Sequence, residues 1–345
     1  MKWEDMEDDN VVPPDNAERM WEALDLRYLA VRFLVSFRNP AAVPELKVSA
    51  LRGGMGQVLL SEYCTGDRNC EACLREPFCP VRQLMYAKYE IPPRFATRGD
   101  SNGYILECED LRTRVRAGET MEFGLILYGR LIPCLPFFVQ AFAGLGRRGL
   151  GRDHARYDLL RVEDSVGNLL VDVRNIPSGE EEWDPCISGE EPAGQLALRR
   201  PQVRSVREYA EYRREELLRE GWEKRILFLS PVTIKYEGHF LNDFQSLPLI
   251  RALYRRIYSF DCFEGKQVPL MQWEGRLPVI VRQEAQRRYV PRYSETHGKK
   301  MTLTGIQGYA EFDEIPEELL LVLAAGEVLH IGKNTSFGFG RYLLQ

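Results

Sequence analysis

The chain of 345 residues is long enough for two domains of ordinary size, and its 44% hydrophobic and 28% charged residues are typical of a folded soluble protein. No apolar run approaches the ~20 residues that a membrane span needs. The first residues, MKWEDMEDDN, resemble neither a signal peptide nor a transit peptide. The composition therefore predicts a cytoplasmic protein with no membrane partner.

The net charge of −5 conceals an uneven distribution. Residues 1–25 carry nine acids and two bases, so the rest of the chain sums to +2. Basic residues are concentrated in Leu145–Arg161, with five Arg against two Asp, and in Val281–Lys300, with six Arg or Lys against two Glu. Such blocks favour a polyanion as partner, with a solvated charged face as the alternative for either block alone.

In chain order, residues 1–22 predict a disordered acidic tail. Residues 23–175 then predict one β-α-β-β-α-β unit, because β-branched and aromatic runs favour strands and apolar residues at helical spacing favour helices. The strands are predicted at Leu26–Phe37, Tyr104–Cys108, Glu119–Tyr128 and Ala155–Asp164, and the helices at Val48–Tyr63 and Leu135–Ala143.

Residues 176–222 predict a linker rich in Pro, Gly and acids, followed by a charged helix at Arg204–Gly221. Residues 223–345 repeat the first order of elements. The strands are predicted at Lys224–Tyr236, Arg287–Tyr293, Met301–Glu311 and Phe339–Leu344, and the helices at Ser246–Tyr258 and Pro316–Ala324. Two such units predict an α+β protein with tandem ferredoxin-like (RRM-like, βαββαβ) domains.

Two glycine-rich segments, GLGRRGLGRDHAR and GKNTSFGFGR (332–341), lie between the last helix and the last strand of each unit. The first contains G-x-G-x-x-G, but it follows a helix and precedes a strand, which is the wrong context for dinucleotide binding. The second lacks the order of a Walker A motif. Glycine backbone N–H groups with neighbouring Arg and Lys suit phosphate, and a glycine-rich turn with surface bases is the alternative.

Four cysteines, Cys64, Cys70, Cys73 and Cys79, follow the first helix with the spacing C-x5-C-x2-C-x5-C. Four thiols within sixteen residues of a cytosolic chain favour metal ligation. We expect a structural zinc site that cross-links a long loop. An iron–sulfur cluster uses the same ligands, and free thiols or a disulfide are further alternatives.

The sequence resembles the CRISPR-associated endoribonucleases of the RAMP superfamily that process precursor crRNA. Four segments occur in the family's order: ALRGGMGQVLL (50–60) before the cysteines, LPFFVQAFAGLGRRGLG (135–151), FLSPVTIKY (228–236) and LHIGKNTSFGFGRY (329–342). The resemblance implies ferredoxin-like domains, binding of a CRISPR repeat RNA and one cut per repeat.

The resemblance also implies metal-independent cleavage, with no catalytic cofactor. The 2′-hydroxyl of the RNA attacks the adjacent phosphorus and leaves a 2′,3′-cyclic phosphate, which requires a base, an acid and cations. Many family members place a catalytic histidine near the first helix, but this chain has none before His154. His330 matches a position in the terminal motif, so we predict His330 as acid or base with Lys333 stabilising charge, and His154 as the next choice. A structural histidine at a strand end is the alternative for His330.

The resemblance and the basic blocks together indicate an RNA surface, on which Tyr293 or Tyr289 stacks a base. The predicted RNA-binding residues are Arg147, Arg148, Arg152, Arg287, Arg288, Arg292, Tyr293, Lys299, Lys300, Gly332, Ser336, Gly338, Gly340 and Arg341. A non-catalytic RAMP subunit that holds RNA among other subunits of a CRISPR effector complex is the alternative to an endoribonuclease.

Overall fold

The computed structural model describes residues 16–66, 68, 73, 79–85, 89–96, 103–172, 199–294 and 299–345. Two antiparallel sheets form the two halves of the protein, with six and four strands. Two further pairs of very short strands lie beside them.

The first half is built on the larger sheet. Its helices and strands are α1 (Asn16–Leu24), β1 (Arg27–Phe37), β2 (Ala41–Ala42), α2 (Val48–Tyr63), α3 (Pro80–Met85), β3 (Tyr104–Glu107), β4 (Arg114–Val115), β5 (Thr120–Tyr128), α4 (Leu135–Arg148), β6 (Tyr157–Asp164) and β7 (Leu169–Asp172). The strand order is β3-β5-β1-β6-β7. The first four are the second, third, first and fourth strands of the predicted unit, which is the ferredoxin-like arrangement.

The second half repeats this arrangement on the smaller sheet. Before it, β8 (Arg204–Ser205) pairs with β1 as the sixth strand of the larger sheet. The helices and strands that follow are α5 (Val206–Glu220), β9 (Arg225–Val232), β10 (Lys235–Tyr236), β11 (His239–Phe240), α6 (Ser246–Phe263), β12 (Ile280–Ser294), β13 (Lys299–Phe312), α7 (Glu317–Leu329) and β14 (Tyr342–Leu344). The order β12-β13-β9-β14 again places the second, third, first and fourth strands side by side. The predicted α+β fold with tandem ferredoxin-like units is confirmed.

Helices α2 and α4 cover one face of the first sheet. Phe33 of β1 stacks on Phe123 of β5 with ring centroids 4.9 Å apart, and Phe142 of α4 meets both rings edge to face. Such aromatic contacts add to the free energy gained by burying the rings. The apolar stripe of α4 is thus explained by its place in this core.

We expected no apolar segment long enough to cross a membrane. Segment Gly129–Arg148, a 3-10 turn (Gly129–Cys134) followed by α4, corrects this expectation. Within the described residues it is the one helical segment whose length and apolar composition would suffice to cross a membrane. Half of that stretch is buried in the protein. Because the α4 side chains pack against β1 and β5, core packing accounts for the composition.

The opposite face of the first sheet packs against the second half. Tyr28, Ile126 and Tyr128 belong to the same hydrophobic cluster as α6 and α7. The rings of Tyr128 and Phe260 lie 4.5 Å apart, and the Tyr128 hydroxyl donates a hydrogen bond to a carbonyl of α7. Because alternate residues of a strand point to opposite faces, β1 and β5 are buried on both sides. One hydrophobic cluster therefore joins the two halves on this face, while a second cluster lies on the other face with α2 and α4.

Strands β12 and β13 form a hairpin longer than the sheet that carries it. Prediction placed these strands at Arg287–Tyr293 and Met301–Glu311, whereas they run over 280–294 and 299–312. Strand β9 pairs with β13 only between Ile306 and Glu311. The outer half of the hairpin is therefore paired only with itself, and it carries most of the second basic block.

The predicted acidic tail does not extend to residue 22. Residues 16–22, which we assigned to the tail, belong to α1, and Met20, Ala23 and Leu24 are buried in the shared core. Helix propensity and this apolar side outweigh the acidic composition. Residues 1–15 lie outside the described residues, as do residues 176–198 of the predicted linker.

The first glycine-rich segment is helical where a loop was predicted. Helix α4 continues through Gly144 and Gly146 to Arg148, so no backbone cradle forms at these two glycines. A Cβ added at Gly144 would lie 2.7 Å from Val58 of α2, and one at Gly146 would lie 2.3 Å from the Tyr157 carbonyl of β6. These glycines are required because α4 approaches both neighbours closely.

A pair of alanine variants tests this explanation. We expect Gly146→Ala to lower the free energy of unfolding by about 1–3 kcal/mol, because the new methyl group overpacks a backbone contact. Gly53→Ala, in the exposed face of α2 with nothing within 4 Å, should instead raise it by up to about 1 kcal/mol through helix propensity. Urea unfolding measures both, and equal effects would contradict the packing role.

Candidate nucleic-acid interface

The terminal loop, residues 330–341, is packed against the first half of the protein. A 3-10 turn at Thr335–Phe337 places Gly338 at φ +76°, where an added Cβ would lie 2.8 Å from the Leu106 carbonyl of β3. At Gly340 an added Cβ would lie 1.8 Å from the Ile331 carbonyl. Both glycines are buried, and their predicted contacts with RNA stay predictions. These glycines allow the loop to dock.

The other residues predicted in this loop divide by exposure. Ser336 is buried at 6% exposure, and Gly332 is half-buried beside the Thr233 carbonyl. Lys333 is exposed, and its backbone N–H donates to the Thr233 carbonyl at 2.8 Å. Lys333 is therefore the member of this group whose side chain can reach a ligand.

His330 links the loop to the first half from a fully buried position. It follows the last turn of α7 at φ +53° and has 0% exposure. Its Nε2 lies 2.8 Å from Oε1 of Glu107 at the end of β3, and its Nδ1 lies 3.1 Å from the Phe339 carbonyl. Both partners offer acceptor oxygens, so a neutral ring can donate to one of them and a protonated ring to both. In this position His330 has no surface with which to contact RNA.

Glu107 is a residue of the site that the sequence analysis missed. Burial acts to raise the pKa of this carboxyl, but the hydrogen bond from His330 and the attraction of His330 and Arg341 outweigh it and hold the pKa below its ordinary value. Arg341 lies 3.1 Å from Glu107 and also pairs with Glu109. Arg341, predicted to bind RNA, is thus engaged with two carboxylates of the first half.

Arg52, Phe337 and Arg292 form a cluster where the two halves meet. Arg52 lies in the second turn of α2, Phe337 in the terminal loop and Arg292 on β12. The guanidinium carbons of Arg52 and Arg292 lie 4.3 and 4.6 Å from the centroid of the Phe337 ring. One phenylalanine of the glycine-rich motif therefore supports two arginines from different elements.

The two positive charges of the cluster, those of Arg52 and Arg292, have no carboxylate partner among the described contacts. Burial, and next the charge of Arg52, lower the pKa of Arg292. The Nε atoms of both arginines are buried without a hydrogen-bond partner in the described structure. Unpaired buried donors and like charges both cost free energy, so this arrangement suits an anion that would satisfy them. Arg52 was missed because it lies in an ordinary helical stripe.

The outer half of the hairpin presents the second basic block. Arg287 and Arg288 are exposed, and Tyr289 is 62% exposed. Arg287 donates a hydrogen bond to the Asn242 side chain. Lys300 is also exposed on the paired strand. An exposed tyrosine between cations suits base stacking beside a phosphate backbone.

The side chains of Tyr293 and Lys299 lie outside the described residues, although their backbones belong to the hairpin. The same is true of the whole of His297. The predicted RNA contacts of Tyr293 and Lys299 stay predictions.

The basic residues of the first half lie at the end of α4 and in the following turn. Arg147, Arg148 and Arg152 are exposed, and Arg148 donates hydrogen bonds to Gln57 and Ser61 of α2. His154 is exposed at φ +49°. Within the described structure, no hydrogen bond or ion pair joins His154 to the terminal loop. The structure therefore does not bring His154 and His330 into one cluster.

The cysteine pattern is only partly within the described residues. Cys64, Cys73 and Cys79 are described and half-buried with free thiols, whereas Cys70 is not described. Among the described residues no group of His, Cys, Asp and Glu could hold a metal. The zinc site predicted for all four cysteines stays a prediction.

Two family models match the chain. Residues 226–342 match the CRISPR-associated endoribonuclease Cas6, and residues 26–183 match a model described as an N-terminal domain. No curated protein matches significantly. The predicted resemblance to CRISPR-associated endoribonucleases that process precursor crRNA is confirmed by the match of the second half.

Two solved structures with TM-scores above 0.5 show the same fold at low sequence identity. A partial Cas6-RT-Cas1–Cas2 complex and a Cas6-RT-Cas1–Cas2 complex each match 93% of the chain at 13% identity and a TM-score of 0.54. The chain spans 46% and 29% of the length of these two proteins. A Thermus thermophilus Cas6 matches 93% of the chain and 99% of its own length at 14% identity, with a TM-score of 0.44.

Two histidine variants separate a positioning role for His330 from a catalytic one. His330→Ala would remove the hydrogen bond to the Phe339 carbonyl and leave Glu107 paired with Arg341 alone. We therefore expect the free energy of unfolding to fall by about 1–3 kcal/mol. His154→Ala, at an exposed position, should leave it unchanged within about 0.5 kcal/mol. Urea unfolding measures both. A His330→Ala protein of normal stability would restore the catalytic interpretation of His330.

Proposed function

We propose that the chain, whose residues 226–342 match the model of the CRISPR-associated endoribonuclease Cas6, cuts CRISPR repeat RNA within precursor crRNA. The observation that carries the proposal is the Arg52–Phe337–Arg292 cluster. It places two cations with unpaired donors at the junction of two RRM-like units, next to a basic hairpin. A phosphate of an RNA strand supplies the charge and the acceptors that this cluster lacks.

The reaction we propose is metal-independent transesterification. The 2′-hydroxyl loses its proton to a base and its oxygen attacks the adjacent phosphorus. The bond from phosphorus to the 5′ oxygen breaks, and an acid protonates that oxygen. The products are a 2′,3′-cyclic phosphate and a 5′-hydroxyl. Cations fixed in position stabilise the charge that grows on the phosphoryl oxygens in the transition state.

Each proposed role follows from exposure and partners. Arg52 and Arg292 hold the phosphate at which the strand is cut, and exposed Lys333 adds positive charge. His154 is exposed and is the described histidine of the first half that can exchange a proton with RNA. His330 positions the loop that carries Phe337.

Positive charge elsewhere on the surface extends the proposed RNA path. Arg287, Arg288 and Lys300 of the hairpin would follow the phosphate backbone, with Tyr289 stacked on a base. Arg147 and Arg152 would contact a second part of the strand near α4. Such contacts position an RNA without reading its sequence.

A second function is favoured by the burial of His330. If no other group replaces it as acid or base, the protein binds repeat RNA without cutting it, as a subunit of a CRISPR complex. The two matching assemblies contain Cas1 and Cas2 with their Cas6 portions, so we include other CRISPR proteins among the proposed partners.

Arginine variants test the cluster. We expect Arg52→Ala and Arg292→Ala each to lower the magnitude of the salt-dependence slope of repeat RNA binding by about 1, because one phosphate contact is lost. Single-turnover cleavage should slow by about 10²–10³-fold, the scale for losing one fixed donor to the transition state. The matched control is Arg219→Ala, whose side chain is 68% exposed on α5 and which should change neither quantity.

Two further readouts make the arginine test specific. Lysine at position 52 or 292 keeps the charge and should restore the salt slope but not the cleavage rate, because the planar fork is lost. Removal of either like charge should leave the unfolding temperature unchanged or higher. If Arg52→Ala and Arg292→Ala bind and cut RNA normally, the cluster is not the phosphate site.

The chemistry is tested with a panel of CRISPR repeat RNAs in EDTA. We expect cleavage that leaves a 2′,3′-cyclic phosphate, and no cleavage of an RNA with a 2′-deoxy nucleotide before the cut, because the attacking group is missing. Circular dichroism before and after EDTA controls for loss of structure at the predicted zinc site.

The outcomes of this experiment divide the hypotheses. Binding without cleavage of any repeat supports the non-catalytic subunit. Cleavage only after addition of a divalent metal, or cleavage of the 2′-deoxy RNA, contradicts the transesterification mechanism.

A further inference from the structure

A recess lies on the helical side of the second half and shares no residue with the proposed RNA site. It is a cavity of about 640 Å3 between α1, α5, α6, α7 and the segment that follows α6. This volume falls in the usual range of ligand-binding clefts. None of the residues assigned above to RNA binding or catalysis lines it.

The cavity has an aromatic and aliphatic floor. Trp21 of α1, Tyr254 of α6 and Trp273 of the following segment contribute three aromatic side chains from three parts of the chain. Trp21 and Trp273 are half-buried, whereas Tyr254 is buried at 7% exposure. Aromatic rings attract cations through their negative faces, and Trp does so most strongly.

The rim of the cavity is acidic. Glu274, Glu317 and Glu318 line it and are exposed. Burial, and next the negative charge of Glu274, raise the pKa of Tyr254 to about 12. Arg214 is the one basic residue described among the lining residues, so the charges of the lining sum to −2. Arg207 lies outside the lining, with its guanidinium carbon 5.7 Å from the centroid of the Trp21 ring. A negative rim over aromatic rings attracts a cation and repels the phosphates of RNA.

Arg214 requires a hydrogen-bond acceptor, which a simple cation does not supply. One of its Nη atoms lies 3.9 Å from Glu317, while its Nε is buried without a hydrogen-bond partner in the described structure. A buried N–H donor without an acceptor is costly. A peptide carbonyl is a neutral acceptor that could enter the cavity together with a cationic side chain.

We propose that this cavity binds a protein partner through a segment that bears arginine or lysine. The cationic side chain lies among the aromatic rings and pairs with the acidic rim, and a backbone carbonyl of the same segment accepts from Arg214. The partner surface is separate from the RNA site. The protein can therefore hold its RNA and this partner at the same time.

The probe is the capped pentapeptide Gly-Arg-Leu-Arg-Gly, with Gly-Glu-Leu-Glu-Gly as its control. The chain has five tryptophans, so 15N labelling of the indoles gives few NMR signals, which Trp21→Phe and Trp273→Phe assign. We expect the arginine peptide to shift the signals of Trp21 and Trp273 but not that of Trp222. The glutamate peptide should shift none of them.

Charge variants provide the matched control. Changing Glu274, Glu317 and Glu318 to Gln should weaken binding of the arginine peptide at least tenfold. Changing the exposed Glu45, Glu215 and Glu237 to Gln alters the net charge equally and should leave binding unchanged. Thermal unfolding checks that both proteins are folded. If the first is not, the single variant Glu274→Gln in the segment after α6 replaces it.

Three results would overturn the proposal. The first is no shift of either tryptophan with millimolar arginine peptide. The second is equally tight binding of arginine amide alone, which would make this a site for a small cation. The third is a change in repeat RNA affinity in the cavity variants but not in the control variants, which would assign the cavity to RNA. None of these results depends on whether the protein cuts RNA.

Discussion

The contact between His330 and Glu107 fixes the terminal loop against the first half of the protein. One ring nitrogen faces the carbonyl of Phe339 in the loop, and the other faces a carboxylate at the end of β3. This places Phe337 beside α2, where its ring supports Arg52 and Arg292. The candidate phosphate site thus depends on a buried histidine that does not itself reach the surface.

The order of elements could be read from the sequence because each unit has strong local patterns. Helix α2 begins and ends at the predicted residues, Val48 and Tyr63, since its apolar stripe is regular and its neighbours are loops. The hairpin was underestimated because exposed strands such as β12 lack an alternating apolar pattern. The glycines at 144 and 146 misled for a different reason. Close packing between helix and strand selects glycine as strongly as a phosphate loop does.

The candidate site could be predicted only in part. The basic hairpin and the glycine-rich motif were found from composition and resemblance. The role of each residue in the motif, and the residues elsewhere in the chain that contact it, depend on tertiary structure. Arg52 and Glu107 are unremarkable in sequence, and they belong to the site because α2 and β3 meet the loop of the other half. His330 shows why the sequence alone is not enough: a histidine in a functional motif can serve to hold two parts of the same chain together.

Because the first sheet is buried on both faces, the first half cannot complete its folding before the second half is present. Tyr28, Ile126 and Tyr128 face α6 and α7, and a first half produced alone would expose this apolar surface to water. Although the chain repeats one architecture, neither copy is a self-sufficient module. During synthesis, this face of the first half stays exposed until the second half has been translated and folds against it. The exposed apolar face is the kind of surface that chaperones bind.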